Sequence, residues 1–209
     1  MEPLKSLDQI AIECGTDKSS LEHNYTPYYE AHFERIRNLP LKLLEIGIDK
    51  GYSLKMWSEY FPRALIYGLD IKPLQHLNSV RITALQGSQA DPDFLNTLNS
   101  SFGPFDIIVD DGSHFNAHMR VSFDSLFPLL KSGGTYVVED LYCCYWNNTG
   151  RPLFTDYLKT FIGPLFRNGI TDRPGEIPYF DLSFEVPTKL EKMVASMEFY
   201  KDLVFITKI

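Results

Sequence analysis

Four carboxylates and one histidine follow two apolar runs of the chain. Asp110, Asp111 and His114 follow the first of these runs, and Glu139 and Asp140 follow the second. If the two runs end side by side, so many acids in one cleft repel one another and raise their pKa values unless a cation neutralises them. Carboxylate oxygens without thiolates favour Mg²⁺, or Mn²⁺, over zinc. We therefore predict a divalent cation held by Asp111, Glu139 and Asp140.

His114 comes three residues after Asp111. The unperturbed pKa of histidine, about 6.5, leaves the imidazole mostly neutral near pH 7 and able to accept a proton. We interpret His114 as a general base that works beside Asp111. Asp110 is predicted to contact a cofactor, or instead to orient an acceptor or a helix N-terminus. His118 is either a supporting partner of His114 or an exposed residue.

Five short apolar runs provide the elements that must position these groups. They alternate with stretches of helical period, which is typical of an α/β domain with a parallel sheet. The runs cover residues 41–47, 64–71, 80–87, 106–111 and 134–141, and residues 193–209 predict an antiparallel hairpin around Lys201 and Asp202. Because ligands of open α/β sheets bind beyond the carboxyl ends of the strands, we expect the chemistry just after each run.

A glycine-containing loop follows the first run. It reads Glu45-Ile46-Gly47-Ile48-Asp49-Lys50-Gly51-Tyr52-Ser53. This spacing is neither the dinucleotide fingerprint nor a Walker A loop, so it disfavours a nucleotide diphosphate and a nicotinamide oxidoreductase. Glycines still let a ligand lie against the backbone, and the following helix N-terminus suits the carboxylate of an amino-acid-like group. A structural strand-to-helix turn explains the spacing nearly as well.

The next two strand ends extend this candidate ligand site. Asp70 lies about 20 residues beyond the loop, where an acidic residue typically binds a ribose diol. Polar residues after the third run are placed to read an adenine edge. The three strand ends thus offer sites for an aminoacyl group, a ribose and a base, which are the three parts of S-adenosylmethionine (SAM). The cofactor-binding residues predicted on this basis are Glu45, Gly47, Gly51, Ser53, Asp70, Ser88 and Gln89.

Longer motifs between about residues 10 and 150 carry a family resemblance. They are GTDK at 15–18 with the following His23, Tyr25 and Tyr28, and then LLEIGI, MWSEYFP, IYGLDI, DIIVDDGSH and VVEDLYCCYW. They resemble the class I SAM-dependent methyltransferases, and in particular the macrolide and deoxysugar O-methyltransferases of the mycinamicin and macrocin type. The 28-residue separation of Asp111 and Glu139 also resembles the metal triad of catechol-type methyltransferases.

The resemblance implies a fold and a cofactor arrangement. The fold is Rossmann-like α/β, with a mostly parallel seven-stranded sheet that ends in an antiparallel hairpin and with helices on both faces. The N-terminal segment is expected to fold over the methionine end of SAM, so that Thr16, Lys18 and Tyr25 bind the cofactor. Trp57 is predicted to anchor the core, and Trp146 to form a wall of the active-site mouth.

The activity implied is SAM- and metal-dependent O-methylation, with S-adenosylhomocysteine as product. The expected acceptor is a hydroxyl of a 6-deoxyhexose such as rhamnose in a glycan or glycoside. A catechol-like or other small vicinal diol is the alternative acceptor. A non-catalytic SAM-binding protein would keep the Gly47 and Asp70 site and lose the metal cluster, so the retained acids favour an enzyme.

Composition narrows the class of partner and compartment. The chain has 209 residues and a net charge of −7. This charge argues against a nucleic-acid binder, because neutralising phosphates requires a basic surface. Three cysteines, two of them adjacent, do not suit a secreted disulfide scaffold. Without a signal peptide or an apolar run of about 18 residues, we expect a cytoplasmic protein that does not enter a membrane.

We predict one domain over residues 1–209. It consists of an N-terminal helical cover (1–38), a SAM-binding and metal core (39–150), an acceptor-side insertion or lid (151–187), and a closing helix and hairpin (188–209). Within the cover, residues 21–37 are expected to form two short helices interrupted by Pro27, and a further helix is expected near 153–166. A packing insertion or an oligomer contact explains 151–187 about equally well. Both a homo-oligomer and a domain of a larger glycan-assembly protein stay open.

Overall fold

The computed structural model describes residues 4–171 and 188–209. Its helices and strands are α1 (Leu7–Cys14), α2 (Thr26–Phe33), β1 (Lys42–Ile46), α3 (Tyr52–Tyr60), β2 (Leu65–Asp70), β3 (Ile82–Gln86), α4 (Pro92–Phe102), β4 (Ile107–Asp110), α5 (Asn116–Leu126), β5 (Thr135–Val138), α6 (Phe154–Lys159), α7 (Ile162–Thr171), β6 (Val194–Tyr200) and β7 (Leu203–Lys208). Short 3-10 helices cover Glu34–Ile36, Gln75–Leu77, Phe127–Leu129, Leu141–Tyr145 and Glu191–Met193.

The seven strands form one sheet in the order β3-β2-β1-β4-β5-β7-β6. Strands β1 to β5 are parallel, whereas β7 runs antiparallel to both β5 and β6. The predicted mostly parallel sheet with a closing antiparallel hairpin is therefore confirmed. Because the chain leaves β1 toward β2 and leaves β4 toward β5, a crevice opens between the carboxyl ends of β1 and β4, where ligands of such sheets bind.

Helices cover both faces of the sheet, as predicted. On one face, Tyr29 of α2 and Trp57 of α3 pack in the same core as Phe205 of β7. On the other face, Phe123 of α5 packs with Tyr136 of β5. Trp57 is fully buried, which confirms it as a core anchor. The central strands lie between these two cores, so continuous apolar runs are the sequence pattern that suits them.

The N-terminal cover differs from the prediction for residues 21–37. Pro27 does not divide two helices but occupies the first turn of α2, where its missing N–H costs nothing. The short 3-10 helix follows α2 directly. Helix α1, for which no separate helix was predicted, begins at a capping box of Ser6 and Gln9 and ends at Gly15 in a left-handed conformation.

The predicted helix near residues 153–166 is present as two helices, α6 and α7. The remainder of the predicted acceptor-side insertion, residues 172–187, lies outside the described residues. None of the helices that the structure describes is both long enough and apolar enough to cross a membrane.

The loop after β1 approaches the loop after β4 so closely that a side chain at Gly47 would have no room. Gly47 has a φ of 82°, and a Cβ there would lie 2.0 Å from the carbonyl oxygen of Asp111. Gly133 has a similar φ of 75° but open space around the Cβ position. Gly133 therefore offers a control with the same backbone conformation and no steric conflict.

We expect Gly47→Ala to lower the free energy of unfolding well beyond Gly133→Ala. The Gly133 variant carries only the cost of a left-handed alanine, about 1–2 kcal/mol, whereas the Gly47 variant must also separate two backbone segments. Urea denaturation of both variants measures the difference. Equal losses would show that the close approach of the two loops has no energetic consequence.

Candidate active site

Two cavities open at the carboxyl ends of the parallel strands, and Gly47 lines both of them. The first cavity, about 210 Å³ in volume, is lined by Asp70, Ser88 and Gln89 together with His118. The Asp70 carboxylate is held in place by backbone amides. Its Oδ2 accepts from the N–H groups of residues 48 and 49, at 3.1 and 3.2 Å. The first cavity thus collects the predicted ribose- and base-contacting residues.

The second cavity, about 240 Å³ in volume, lies on the other side of Gly47. Thr16, Lys18, Ser53 and Asp111 line it, so its wall is rich in hydroxyl and charged groups. Thr16 and Lys18 come from the N-terminal cover and are almost completely buried. The N-terminal segment therefore closes over this cavity.

Glu45 and Gly51 stand behind the second cavity rather than in its wall. Glu45 is fully buried, and its Oε2 accepts a hydrogen bond from Ser53 Oγ at 2.7 Å. Burial raises the pKa of Glu45 to about 7. Gly51 adopts a left-handed conformation at the start of α3. Both residues shape the loop, and neither is among the residues that line the two cavities.

Asp110 is buried beneath the site and does not line either cavity. Its carboxylate accepts hydrogen bonds from Gln89 Nε2 at 3.0 Å, from Tyr136 Oη at 2.9 Å and from the Ser122 hydroxyl. Burial raises the pKa of Asp110, and these hydrogen bonds oppose that rise. Gln89 Oε1 in turn accepts the Ser113 N–H at 2.6 Å. Asp110 thus holds the side chains of Gln89, Ser122 and Tyr136, and its contact with a cofactor, an acceptor or a helix N-terminus stays a prediction.

Lys18 lies inside a cluster of three carboxylates. Its Nζ is 2.5 Å from Asp111 Oδ2, 2.7 Å from Glu139 Oε2 and 3.4 Å from Glu45 Oε1. The Lys18 side chain is 1% exposed. Burial alone would lower the pKa of Lys18, but the three carboxylates outweigh it and hold that pKa well above its usual value. Burial also raises the pKa values of Asp111 and Glu139, and Lys18 counteracts this rise.

The Glu139 carboxylate is fully engaged by groups from the N-terminal cover. Lys18 binds one oxygen, and the Tyr29 hydroxyl donates to the other. Glu139 is 2% exposed. The assignment of Glu139 to a metal stays a prediction, and this arrangement disfavours it, because a metal would have to displace a buried ion pair.

Asp111 also belongs to a second group, with Asp140 and His114, that is partly open to solvent. One oxygen of each carboxylate is held by the N-terminal cover: Asp111 Oδ2 by Lys18, and Asp140 Oδ1 by the Tyr25 hydroxyl at 2.7 Å. The other oxygen of each carboxylate faces His114 Nε2, at 4.0 Å for Asp111 and 3.8 Å for Asp140. Tyr25, whose predicted binding to the cofactor stays a prediction, contacts Asp140.

The backbone at this group is strained at two positions. His114 has a φ of 57° and Asp140 a φ of 54°. A non-glycine residue in the left-handed region costs about 1–2 kcal/mol, and such residues cluster at functional sites where the surrounding structure enforces them. Both residues were predicted to lie in the site, and Asp and His are among the non-glycine residues that adopt this conformation most often.

Tyr29 is the site residue that sequence reasoning missed. It follows Tyr25 by four positions, and residues four apart share one face of a helix. That face carries the Tyr25 hydroxyl to Asp140 and the Tyr29 hydroxyl to Glu139. The spacing of the two tyrosines was the available signal.

Comparisons with known proteins identify the relatives of this chain. No protein-family model matches it. It is 44% identical over 151 residues to the mycinamicin VI 2''-O-methyltransferase of Micromonospora griseorubida, covering 69% of this chain and 38% of that protein. It is 36% identical over 217 aligned residues to the demethylmacrocin O-methyltransferase of Streptomyces fradiae, covering 97% and 53%.

A solved structure extends the similarity to the fold. It is the MycE methyltransferase from the mycinamycin biosynthetic pathway, in complex with Mg, SAH and mycinamycin VI. The TM-score is 0.84 at 33% sequence identity, over 98% of this chain and 54% of that one. The chain therefore spans about half the length of these relatives or less.

The ion pairs of Lys18 generate a stability prediction. Lys18→Met keeps a similar side-chain length and removes the charge, which leaves buried carboxylates without their counter-charge. Breaking a buried pair in this way costs about 3–5 kcal/mol, and we expect a loss of that size in the free energy of unfolding measured by urea denaturation.

Lys5→Met is the control for this prediction. Lys5 forms exposed ion pairs with Glu13 and Glu59, and surface pairs of this kind contribute little. If Lys18→Met lost no more stability than Lys5→Met, the charge-compensating role of Lys18 would be contradicted.

Proposed function

We propose that the chain methylates a hydroxyl of a deoxyhexose, such as rhamnose, in a small-molecule glycoside. The premise is that it has the class I methyltransferase fold and is a homologue of the sugar O-methyltransferases of macrolide and tetracenomycin glycosides. SAM is the proposed methyl donor. The observation that carries the proposal is the convergence of Asp111, Asp140 and His114 beside the cavity pair.

The two cavities support SAM as the cofactor. Neither cavity alone reaches the roughly 300–1,000 Å³ of typical small-molecule sites, but Gly47 lines both, and one ligand that extends past Gly47 would occupy the two together. The first would take the adenosine part, with Asp70 binding the ribose. The second suits a zwitterionic aminoacyl group, because Thr16, Lys18 and Asp111 offer a hydroxyl and both signs of charge.

The donor set also fits a hard divalent cation such as Mg²⁺. Asp111 Oδ1 and Asp140 Oδ2 are oriented by the N-terminal cover and face the same imidazole. Carboxylate oxygens are the ligands such ions prefer. When bound there, the ion would supply Lewis-acid chemistry that lowers the pKa of an acceptor hydroxyl and orients it. We propose Asp111 and Asp140 as its protein ligands and keep Glu139 with Lys18.

His114 is the proposed general base. A sugar hydroxyl barely ionises at neutral pH, so its proton must leave as the oxygen attacks the activated methyl group of the sulfonium. His114 Nε2 faces the carboxylate pair and is part of a side chain that solvent can reach. It would accept this proton, and general-base assistance is typically worth 10²- to 10⁴-fold in rate. Alignment of the methyl donor with the acceptor hydroxyl would supply the rest of the rate enhancement.

Exposed aromatic residues beside Asp140 support a glycoside rather than a small catechol. Tyr142, Tyr145 and Trp146 lie within six residues after Asp140 and are exposed, with Tyr142 and Trp146 in edge-to-face contact. Exposed apolar surface next to a site indicates a binding face. A small catechol would leave most of this surface uncovered, whereas a glycosylated polyketide would extend over it. Trp146 as a wall of the active-site mouth stays part of this proposal.

We also propose that the predicted segments of the chain have distinct roles in one site. Residues 1–38 would cover the cofactor and orient the acids, and residues 39–150 would supply the SAM and cation sites. Support comes from Lys18, Tyr25 and Tyr29, which reach from the cover to three acids of the core. The acceptor-side role of 151–187 is proposed from its position after the aromatic segment.

Transfer of labelled methyl from SAM tests the function. We expect label on rhamnosides in the presence of Mg²⁺, loss of transfer with EDTA, and recovery when Mg²⁺ is added back. Label on catechols and not on rhamnosides would replace the proposed substrate class. SAM binding without transfer to any acceptor of either class would instead support the non-catalytic alternative.

His114→Ala tests the proposed base. We expect the turnover number to fall at least 10²-fold, while SAM binds as tightly as in the wild type by calorimetry, because His114 is not among the residues that line the two cavities. His76→Ala is the matched control, since His76 is an exposed histidine of the 3-10 helix after β2. Wild-type turnover in the His114 variant would remove this residue from the mechanism.

A further inference from the structure

A cysteine thiol lies next to the carboxylate and histidine group. His114, Asp140 and Cys143 each present one ligand atom, and these three atoms lie within 4.8 Å of one another. The local backbone explains the placement, because the N–H of Cys143 donates to the carbonyl oxygen of Asp140 at 2.9 Å in the turn that starts Leu141–Tyr145. Cys143 is 1% exposed, so its thiol lies on the buried side of this group of three residues.

This set of ligand atoms differs in kind from the carboxylate pair. Zinc binds sulfur, imidazole nitrogen and carboxylate oxygen at about 2.0–2.3 Å, which separates the ligand atoms of a tetrahedral site by roughly 3.3–3.8 Å. Rotations of the three side chains would close the remaining gap from 4.8 Å. Mg²⁺ prefers oxygen ligands, whereas a thiolate with an imidazole selects a softer ion such as zinc.

We propose that His114, Asp140 and Cys143 form a binding site for a thiophilic divalent cation, with Zn²⁺ as the representative ion. On binding, the S–H bond of Cys143 breaks, a sulfur–metal bond forms and the proton passes to solvent. The site shares Asp140 with the proposed Mg²⁺ site, so the two ions compete. Among the described residues, this is the group of three acidic, histidine or cysteine side chains whose ligand atoms converge closely enough for one ion.

One consequence rests on the proposed function. If His114 is the base, an ion on its imidazole removes the lone pair that accepts the substrate proton. Zn²⁺ would then inhibit methyl transfer even when Mg²⁺ is present. The binding site itself does not depend on this consequence, because it follows from the three ligand atoms alone.

Cys144 provides the matched control. It is the neighbour of Cys143 and is also fully buried, but it packs with Phe154 and Leu158 in the core on the α5 face of the sheet. A Cys144→Ser variant therefore removes a buried thiol from the same 3-10 helix without changing the proposed ligand set. Cys143→Ala complements Cys143→Ser, in case the serine hydroxyl disturbs the packing.

Cobalt substitution is the test. Co²⁺ added to the metal-free protein should give a near-ultraviolet sulfur-to-cobalt charge-transfer band in the wild type and in Cys144→Ser. The band should be lost in Cys143→Ser and Cys143→Ala, and competition with a chromophoric chelator should show at least a tenfold weaker affinity for Zn²⁺ in those two variants. Circular dichroism verifies that all variants are folded.

Two outcomes would overturn the proposal. One is a wild-type cobalt spectrum without a sulfur band, and the other is a band that persists in both Cys143 variants. The cobalt spectra require no turnover, so they test this proposal separately from the proposed function. If no methyl transfer is found, the spectra still report on the metal site. If no sulfur band is found, the methyl-transfer assay still tests the proposed function.

Discussion

The ammonium of Lys18 is the interaction on which the arrangement of the site depends. It lies among Glu45, Asp111 and Glu139, which are at the carboxyl ends of three different strands of the sheet. Carboxylates buried this close together repel one another, and each has lost the solvation that water would provide. Lys18 offsets both costs only if the N-terminal cover is folded against the carboxyl edge of the sheet. The stability of the buried acids therefore depends on the folding of the N-terminal cover.

This constraint divides the acids into an inner and an outer set. The inner set, Glu45 and Glu139, is buried and bound by Lys18 and Tyr29. The outer set, Asp111 and Asp140, is tied to the cover by one oxygen and turns the other toward His114. The inner set contributes to stability and shape. Each carboxylate of the outer set has one oxygen, the one that faces His114, that a bound ion could use as a ligand. The proposed chemistry is therefore assigned to the outer set.

The sequence predicts the sheet well because its central strands are buried on both faces, and a continuous apolar run marks such a strand directly. It also brings the correct strand ends together, since carboxyl ends of neighbouring parallel strands share one edge. The sequence does not show which partners two adjacent acidic side chains contact. Asp110 and Asp111 follow each other at the end of β4, but successive side chains of a strand point to opposite faces, so Asp110 meets Ser122 of α5 while Asp111 meets Lys18.

The partners of these acids were beyond sequence reasoning for a related reason. Lys18 precedes Asp111 by 93 residues and Glu139 by 121, and no local pattern reports a pairing across such distances. The family resemblance indicated that the N-terminal segment folds over the methionine end of SAM, and in the structure Thr16 and Lys18 of this segment line the second cavity. It did not indicate which protein atoms the segment would bind: the Tyr25 hydroxyl donates to Asp140, and the contact of Tyr25 with the cofactor stays a prediction.

Asp111 connects the two halves of the proposed reaction. It lines the second cavity, where the aminoacyl part of SAM is proposed to bind, and it faces His114 on its other side. Lys18 fixes this carboxylate from below, and the close approach at Gly47 fixes the backbone that carries it. A methyl donor and a base held by the same rigid group have a fixed relative position, which is the main requirement of a methyl transfer from an already activated sulfonium. In the proposed reaction, the buried ion pair of Lys18 and Asp111 would therefore fix the positions of the more exposed groups of the site.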